Sequence, residues 1–258
     1  MAGVAHADAT LDKIHQRGKV VVGVILSGPP FGTLDPVTQK PVGYNVELAE
    51  GVAKGLGVAL ETVTVQPSNR VQFLQQGKVD LLIANMQWTQ ERSEILSFVP
   101  TPFEEVGGAA IAAKNSGIRR WEDLRGKPVC VSQGSNFTKP LADQYGAQIK
   151  AFRGQPESLL ALKGGNCVAA VHVSPTLREL VAGNIDWKDY AIVSPADLIP
   201  SPSVIWVRRD ESDTQAALDR IVQHWHRTGW LIEVEKKNGM APTPLLHQLQ
   251  DKFRKTPA

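Results

Sequence analysis

Arg92 stands at the end of a polar run, Asn85, Met86, Gln87, Trp88, Thr89, Gln90, Glu91, that follows the apolar stretch Val79 to Ala84. A guanidinium in such a place can hold a carboxylate through two parallel hydrogen bonds. Thr89 is three residues before it and is a candidate helix N-cap, with acidic Glu91 in the first turn. The stretch therefore reads as a buried strand, a bend at Asn85–Gln87 with free backbone N–H groups, and a short helix bearing Arg92. In an open α/β sheet, small ligands sit beyond the carboxyl ends of the strands. The alternative is that Arg92 only pairs with Glu91 or Glu94 on a solvated helix face.

The elements around this stretch follow a βαβ pattern. A helix over 10–16, capped by Thr10 and ended by Gly18, precedes a Val-rich strand over 19–26. A helix over 43–56, a strand over 59–65 and a helix over 68–76 follow. After Phe98 the pattern is interrupted by PTPFEEVGG, and α/β alternation then resumes through Val193. The Pro- and Ser-rich DLIPSPS reads as a second crossing. It leads to a strand over 204–207, a long helix over 213–228, a helix over 231–237 and a terminal helix that ends in a loose, solvated tail carrying Lys252, Arg254 and Lys255.

GKVDLLIANMQWTQERSEILSFVPTPF resembles the first-lobe signature of the extracellular solute-binding proteins of polar amino-acid ABC importers (family 3). GKVVVGV, VGYNVELAEGVAKGLG, WEDLRGKPVCVSQGSN and the GGNCVAAVHVSP region are similar to that family in the same order. The resemblance implies a type II periplasmic binding protein, with two Rossmann-like α/β lobes joined by a two-strand hinge. The expected division is 1–9 as a signal-peptide remnant or tail, 10–103 with 204–258 as the first lobe, and 104–203 as the second. The ligand would lie between the lobes and be buried by hinge closure.

By position against the family motif, Arg92 would hold the ligand carboxylate, with Gln87 and Asn85 beside it. Ser135 and Asn136 would complete that pocket from the second lobe, at a glycine bend opening a helix. Ser132 and His172 would line the far end. Trp88 and Phe31 are candidate aromatic walls, though both are equally candidates for lobe packing; Phe103 and Phe137 are further candidates. Members that bind α-amino acids place an Asp where this chain has Val173. A valine accepts no hydrogen bond, so a buried ammonium would need another acid, with Glu104, Glu105 and Asp197 as candidates, or the ligand has no α-amine.

Cys130 and Cys167 lie in or beside apolar runs that read as strands. Some acidic-amino-acid binders of the family have Cys at both places, which implies a disulfide; two buried thiols are the alternative. Ala5-His6-Ala7 before Asp8 resembles the end of a secretory signal peptide, and with the family resemblance it implies a periplasmic location. The implied partners are a small carboxylate or amino-acid ligand and an inner-membrane ABC permease, with the chain acting as a monomer.

The 258 residues are 42% hydrophobic and 21% charged, enough for ordinary cores. A net charge of +2, with its basic residues dispersed, offers no nucleic-acid surface. No apolar run approaches the roughly 20 residues of a membrane helix. No Cys/His spacing suggests zinc, no metal or other cofactor is implied, and no catalytic triad or phosphate loop is present. Two other functions fit the same fold. One is a cyclohexadienyl-dehydratase-like enzyme, for which only His172 is a well-placed titratable group. The other is the sensor domain of a membrane receptor.

Overall fold

The computed structural model describes residues 8–255. The Ala-His-Ala motif lies outside the described residues. The chain begins with α1 (Ala9–Arg17), β1 (Lys19–Val24), β2 (Thr33–Leu34), β3 (Pro41–Val42) and α2 (Tyr44–Leu56). It continues with β4 (Ala59–Thr64), α3 (Arg70–Gln75), β5 (Leu81–Ile83), α4 (Gln90–Ile95) and β6 (Ser97–Phe98). A second group comprises β7 (Glu104–Ala113), β8 (Pro128–Ser132), α5 (Thr138–Asp143), β9 (Gln148–Phe152), α6 (Gln155–Lys163), β10 (Ala169–Val173), α7 (Ser174–Gly183), β11 (Tyr190–Ile192) and β12 (Leu198–Ser203). The chain then closes with β13 (Trp206–Val207), α8 (Ser212–Thr228), α9 (Trp230–Lys237) and α10 (Pro244–Lys255).

Two sheets organise these elements. The first has the order β4-β1-β5-β13-β6, with β1 parallel to both β4 and β5. The second has the order β11-β7-β10-β8-β9, with β12 antiparallel beside β7. β1 and β5 are apolar because helices cover both faces of their sheet, and every residue of β5 is buried. α2 turns Tyr44, Leu48 and Val52, at helical spacing, into the core. Further along α2, a Cβ added at Gly55 would stand 2.7 Å from Ile221, so the missing side chain lets α8 pack closely.

β7 enters the second sheet and β12 leaves it, and the two pair with Pro202 opposite Glu105 and Ser203 opposite Glu104. The fold is thus two α/β lobes joined by two adjacent strands. Cys130 in β8 and Cys167 just before β10 form a disulfide, with Cα atoms 5.7 Å apart. The parallel pairing of these strands, Ala170 opposite Cys130, brings the sulfurs together.

Two local expectations are corrected. The cap of α1 is Asp8, which accepts from the Leu11 N–H at 3.1 Å. Thr10 is instead buried inside the helix, where its N–H donates to Glu211. Asp8 also accepts from the Thr214 N–H, so one carboxylate joins α1 to the start of α8. The stretch leading into the C-terminus is not loose through Lys255. α10 buries Leu246 and Phe253, and Phe253 stacks on His226 of α8. Arg254 and Lys255 are exposed, as expected.

Candidate functional site

The chain turns sharply after β5. Asn85 takes a positive φ of 49°, and Gln87 pairs across an isolated bridge with Ser203. The Asn85 side chain accepts from Asn45 Nδ2 at 2.5 Å, which fixes the bend to α2. Thr89 caps α4 by accepting from the Arg92 N–H at 3.2 Å. That cap aims Arg92 back across the bend. Its Nη1 donates to the Gln87 carbonyl at 2.6 Å, and its Nη2 to the Gly134 carbonyl of the second lobe at 2.8 Å.

A second guanidinium converges on the same place. Arg70 of α3 donates through Nη1 to the carbonyls of Ala84 (2.6 Å) and Asn85 (3.0 Å), and through Nη2 to Gly134 at 3.4 Å. Its position follows from helix spacing: Leu74, four residues on, is fully buried, so Arg70 shares the inward face of α3. Arg70 is only 4% exposed.

Between these groups and the second lobe lies a cavity of about 50 Å³. The first lobe contributes Ile25, Ser27, Pro67, Arg70, Asn85 and Gln87. The second contributes Ser132, Ser135, Asn136, Phe137, Gln155, His172 and Val173. A larger groove of about 870 Å³ lies elsewhere, lined by residues such as His15 of α1, Glu50 of α2 and Trp225 of α8. Converging donors, rather than volume, single out the smaller cleft.

The cleft is electropositive and rich in donors. Burial pulls the Arg92 guanidinium down to about 10, which leaves it protonated at neutral pH. Arg70 is pushed well below its usual value by burial and then by the nearby charge of Arg92. Among the described residues, no Asp or Glu lines the cavity. Gln87 Nε2 and Asn136 Nδ2 are buried and have no hydrogen-bond partner among the described residues. A buried donor left unpaired costs about 1–3 kcal/mol, so both amides are suited to an acceptor brought in from outside. His172 is held neutral, because burial pushes it down to about 3. Its ring nitrogens meet Ser158 Oγ at 2.8 Å and Ser132 Oγ at 3.5 Å.

Of the residues expected in the site, Asn85, Gln87, Ser132, Ser135, Asn136, His172 and Val173 line the cleft, and Arg92 borders it through Gln87 and Gly134. Phe31 and Trp88 do not line it. Phe31 is 1% exposed and packs edge-on against Tyr44 in the first-lobe core. Trp88 packs edge-on against Phe98, 6.1 Å between ring centres, because the bridge at Gln87 turns the following side chain toward β6. Phe103 is likewise core, whereas Phe137 does wall the cleft. Glu104, Glu105 and Asp197, the substitute acids for an ammonium group, line a different cavity. Arg70 and Gln155 were not anticipated. The signal for Arg70 was a charge at the buried spacing of a short amphipathic helix.

Two α/β lobes that meet over a cleft of converging donors define a binding protein of the type II periplasmic class. The chain belongs to the bacterial extracellular solute-binding proteins, family 3, whose family model matches residues 20–240. It is 32% identical to the glutamine-binding protein of Geobacillus stearothermophilus over 60% of this chain and 61% of that protein. It is 30% identical to the glutamate/aspartate import solute-binding protein of Salmonella typhimurium over 65% of this chain and 61% of that one. These two matches thus span less than two thirds of either relative's length. The solute receptor for L-cysteine of Neisseria gonorrhoeae superposes with a TM-score of 0.82 at 26% identity, over 89% of this chain and 93% of that one.

Proposed function

We propose that this protein captures a small acidic carboxylate in the cleft, closes on it, and presents it to an ABC importer from the periplasm. The observation that carries this reading is the meeting of Arg70 and Arg92 over Gly134, beside a cavity lined by no acid among the described residues. A buried Arg70 beside a part-buried Arg92, with no acid lining the cleft among the described residues, favours an anionic occupant, and two guanidiniums suit two acidic groups. The ligand class is therefore an acidic amino acid or its amine-free dicarboxylate. Relatives named for glutamate and aspartate support the former. Val173 supports the latter, since an ammonium in this cleft would meet only neutral acceptors.

Binding rather than catalysis suits the chemistry. His172, held neutral and tied to two serines, is poorly placed to donate a proton near neutral pH. The test is calorimetry on ligand-stripped protein, using glutamate, aspartate, glutamine, 2-oxoglutarate and succinate. At least one dicarboxylate should bind, and Arg92→Ala should weaken it at least a hundredfold while preserving the fold. Equal affinity in the variant would remove Arg92 as the anchor. If 2-oxoglutarate and succinate bind and glutamate does not, the absence of an acid at Val173 selects the ligand.

A further inference from the structure

Another cavity, of about 430 Å³, opens where the crossing strands meet the C-terminal helices. Glu104 is the first residue of β7, and Glu235 lies on α9. Each is only 2% exposed. Glu104 Oε1, Glu235 Oε2 and Thr243 Oγ1 belong to residues lining this cavity, and none has a hydrogen-bond partner among the described residues. The carboxyl groups are close enough to repel. Burial pushes Glu104 up to about 8, and burial plus the charge of Glu104 pushes Glu235 up to about 9.

The surroundings do not neutralise the pair. Tyr44 of α2, buried and near both carboxyls, donates its hydroxyl to the Phe103 carbonyl at 3.1 Å. Glu105, Glu179 and Asp197 add further acids to the lining. Arg178 is the one basic residue there among the described residues, and it is held by Asp197 at 3.0 Å and Ser174 at 2.8 Å. Pro30, Val106, Pro200 and Met240 supply apolar wall.

Above about pH 9, where both carboxyls are ionised, three oxygens without a partner beside an apolar wall match one chemical group. A primary ammonium has three donors and no acceptor, and it is attracted to paired carboxylates. A calcium ion would ask for six to eight oxygens. Among the described residues, no group of three His, Cys, Asp or Glu is arranged to hold a metal. We propose that this hinge cavity binds a small primary alkylammonium, its –NH3⁺ set between Glu104 and Glu235 with Thr243 as third acceptor and its chain against Pro30 and Met240. This site is separate from the cleft and does not depend on the cleft's ligand.

The test is thermal melting of the whole chain with n-butylammonium chloride at about pH 9.5, where both carboxyls are largely ionised and the amine is still protonated. Tetramethylammonium chloride and sodium chloride at equal ionic strength are the controls. A saturable rise of about 5 °C is expected when butylammonium reaches a hundredfold excess over its dissociation constant. Tetramethylammonium, which has no N–H, and sodium should give none. The rise should vanish in Glu104→Gln/Glu235→Gln and need about tenfold more amine in Thr243→Val, which keeps both carboxyls should the double variant not fold. No saturable rise, an equal rise with sodium, or an undiminished rise in the variants would overturn the proposal. Calorimetry of the cleft's dicarboxylate on the same variants separates this outcome from a failure of the cleft reading.

Discussion

Arg70 shows how one residue changes the meaning of a site. Arg92 alone describes a monocarboxylate anchor, whereas Arg70 brings a second, more deeply buried cation to the same carbonyl. Arg70→Met keeps most of the volume and removes the charge. Affinity for a dicarboxylate should fall by about 2–5 kcal/mol, the loss seen when a buried charge pair is broken. A monocarboxylate should lose much less, and calorimetry on both ligands checks the contrast. The buried acids Glu104 and Glu235 make a pH statement at the same scale. Their folded pKa values, about 8 and about 9, lie above the ordinary carboxyl value. The folded state therefore holds more protons between roughly pH 5 and 9, and stability falls as pH rises through that window. Glu235→Gln should flatten the fall, as read from denaturant midpoints at pH 5, 7 and 9.

At the scale of elements, the second lobe depends on parallel pairing of β8 with β10, and the Cys130–Cys167 disulfide ties those strands. It encloses a loop with a sequence separation of 37 residues. Chain entropy assigns a bridge of that span about 3–4 kcal/mol. Reduction, or Cys130→Ala with Cys167→Ala, should lower unfolding free energy by up to that amount and leave the first lobe's ligand anchor intact. Urea melts with and without reductant measure it. The elements themselves were largely legible. α4 has the Thr89 cap that its sequence suggests, and α2 has its apolar face where periodicity places it. α1 was misread because Thr10 and Asp8 are both competent caps. Only the contact of Asp8 with Thr214, 206 residues away, decides between them.

For the whole molecule, the decisive contacts cross between lobes. Gly134 has a φ of 75°, and a Cβ there would come within 2.8 Å of the Pro67 carbonyl. An alanine would be strained locally and would also hold the lobes apart. Gly134→Ala should therefore fold, stay extended with ligand, and bind more weakly. Small-angle scattering should show contraction of the natural protein on adding its dicarboxylate, and none in the variant. Contraction in the variant would mean that closure does not bring Gly134 against Pro67.

The sequence by itself determined the α/β alternation and the two crossings, and its resemblance to family 3 implied the two-lobe fold and most of the cleft. The alternation and crossings rest on local pattern, apolar strands, helix caps and turn residues, whereas the lobes and cleft rest on the likeness of ordered motifs such as the one around Arg92. Only the tertiary structure decided which side chains share the cleft. Phe31 and Trp88 had the right chemistry for a wall but are in core packing, and Arg70 came in from α3. Glu104 and Asp197 went to a cavity of their own. The physical reason is that a strand end or a bend sets where a residue begins, while its direction depends on neighbours brought near by folding. The isolated bridge of Gln87 to Ser203, across more than a hundred residues, turns Trp88 away from the ligand, and no local pattern encodes that pairing.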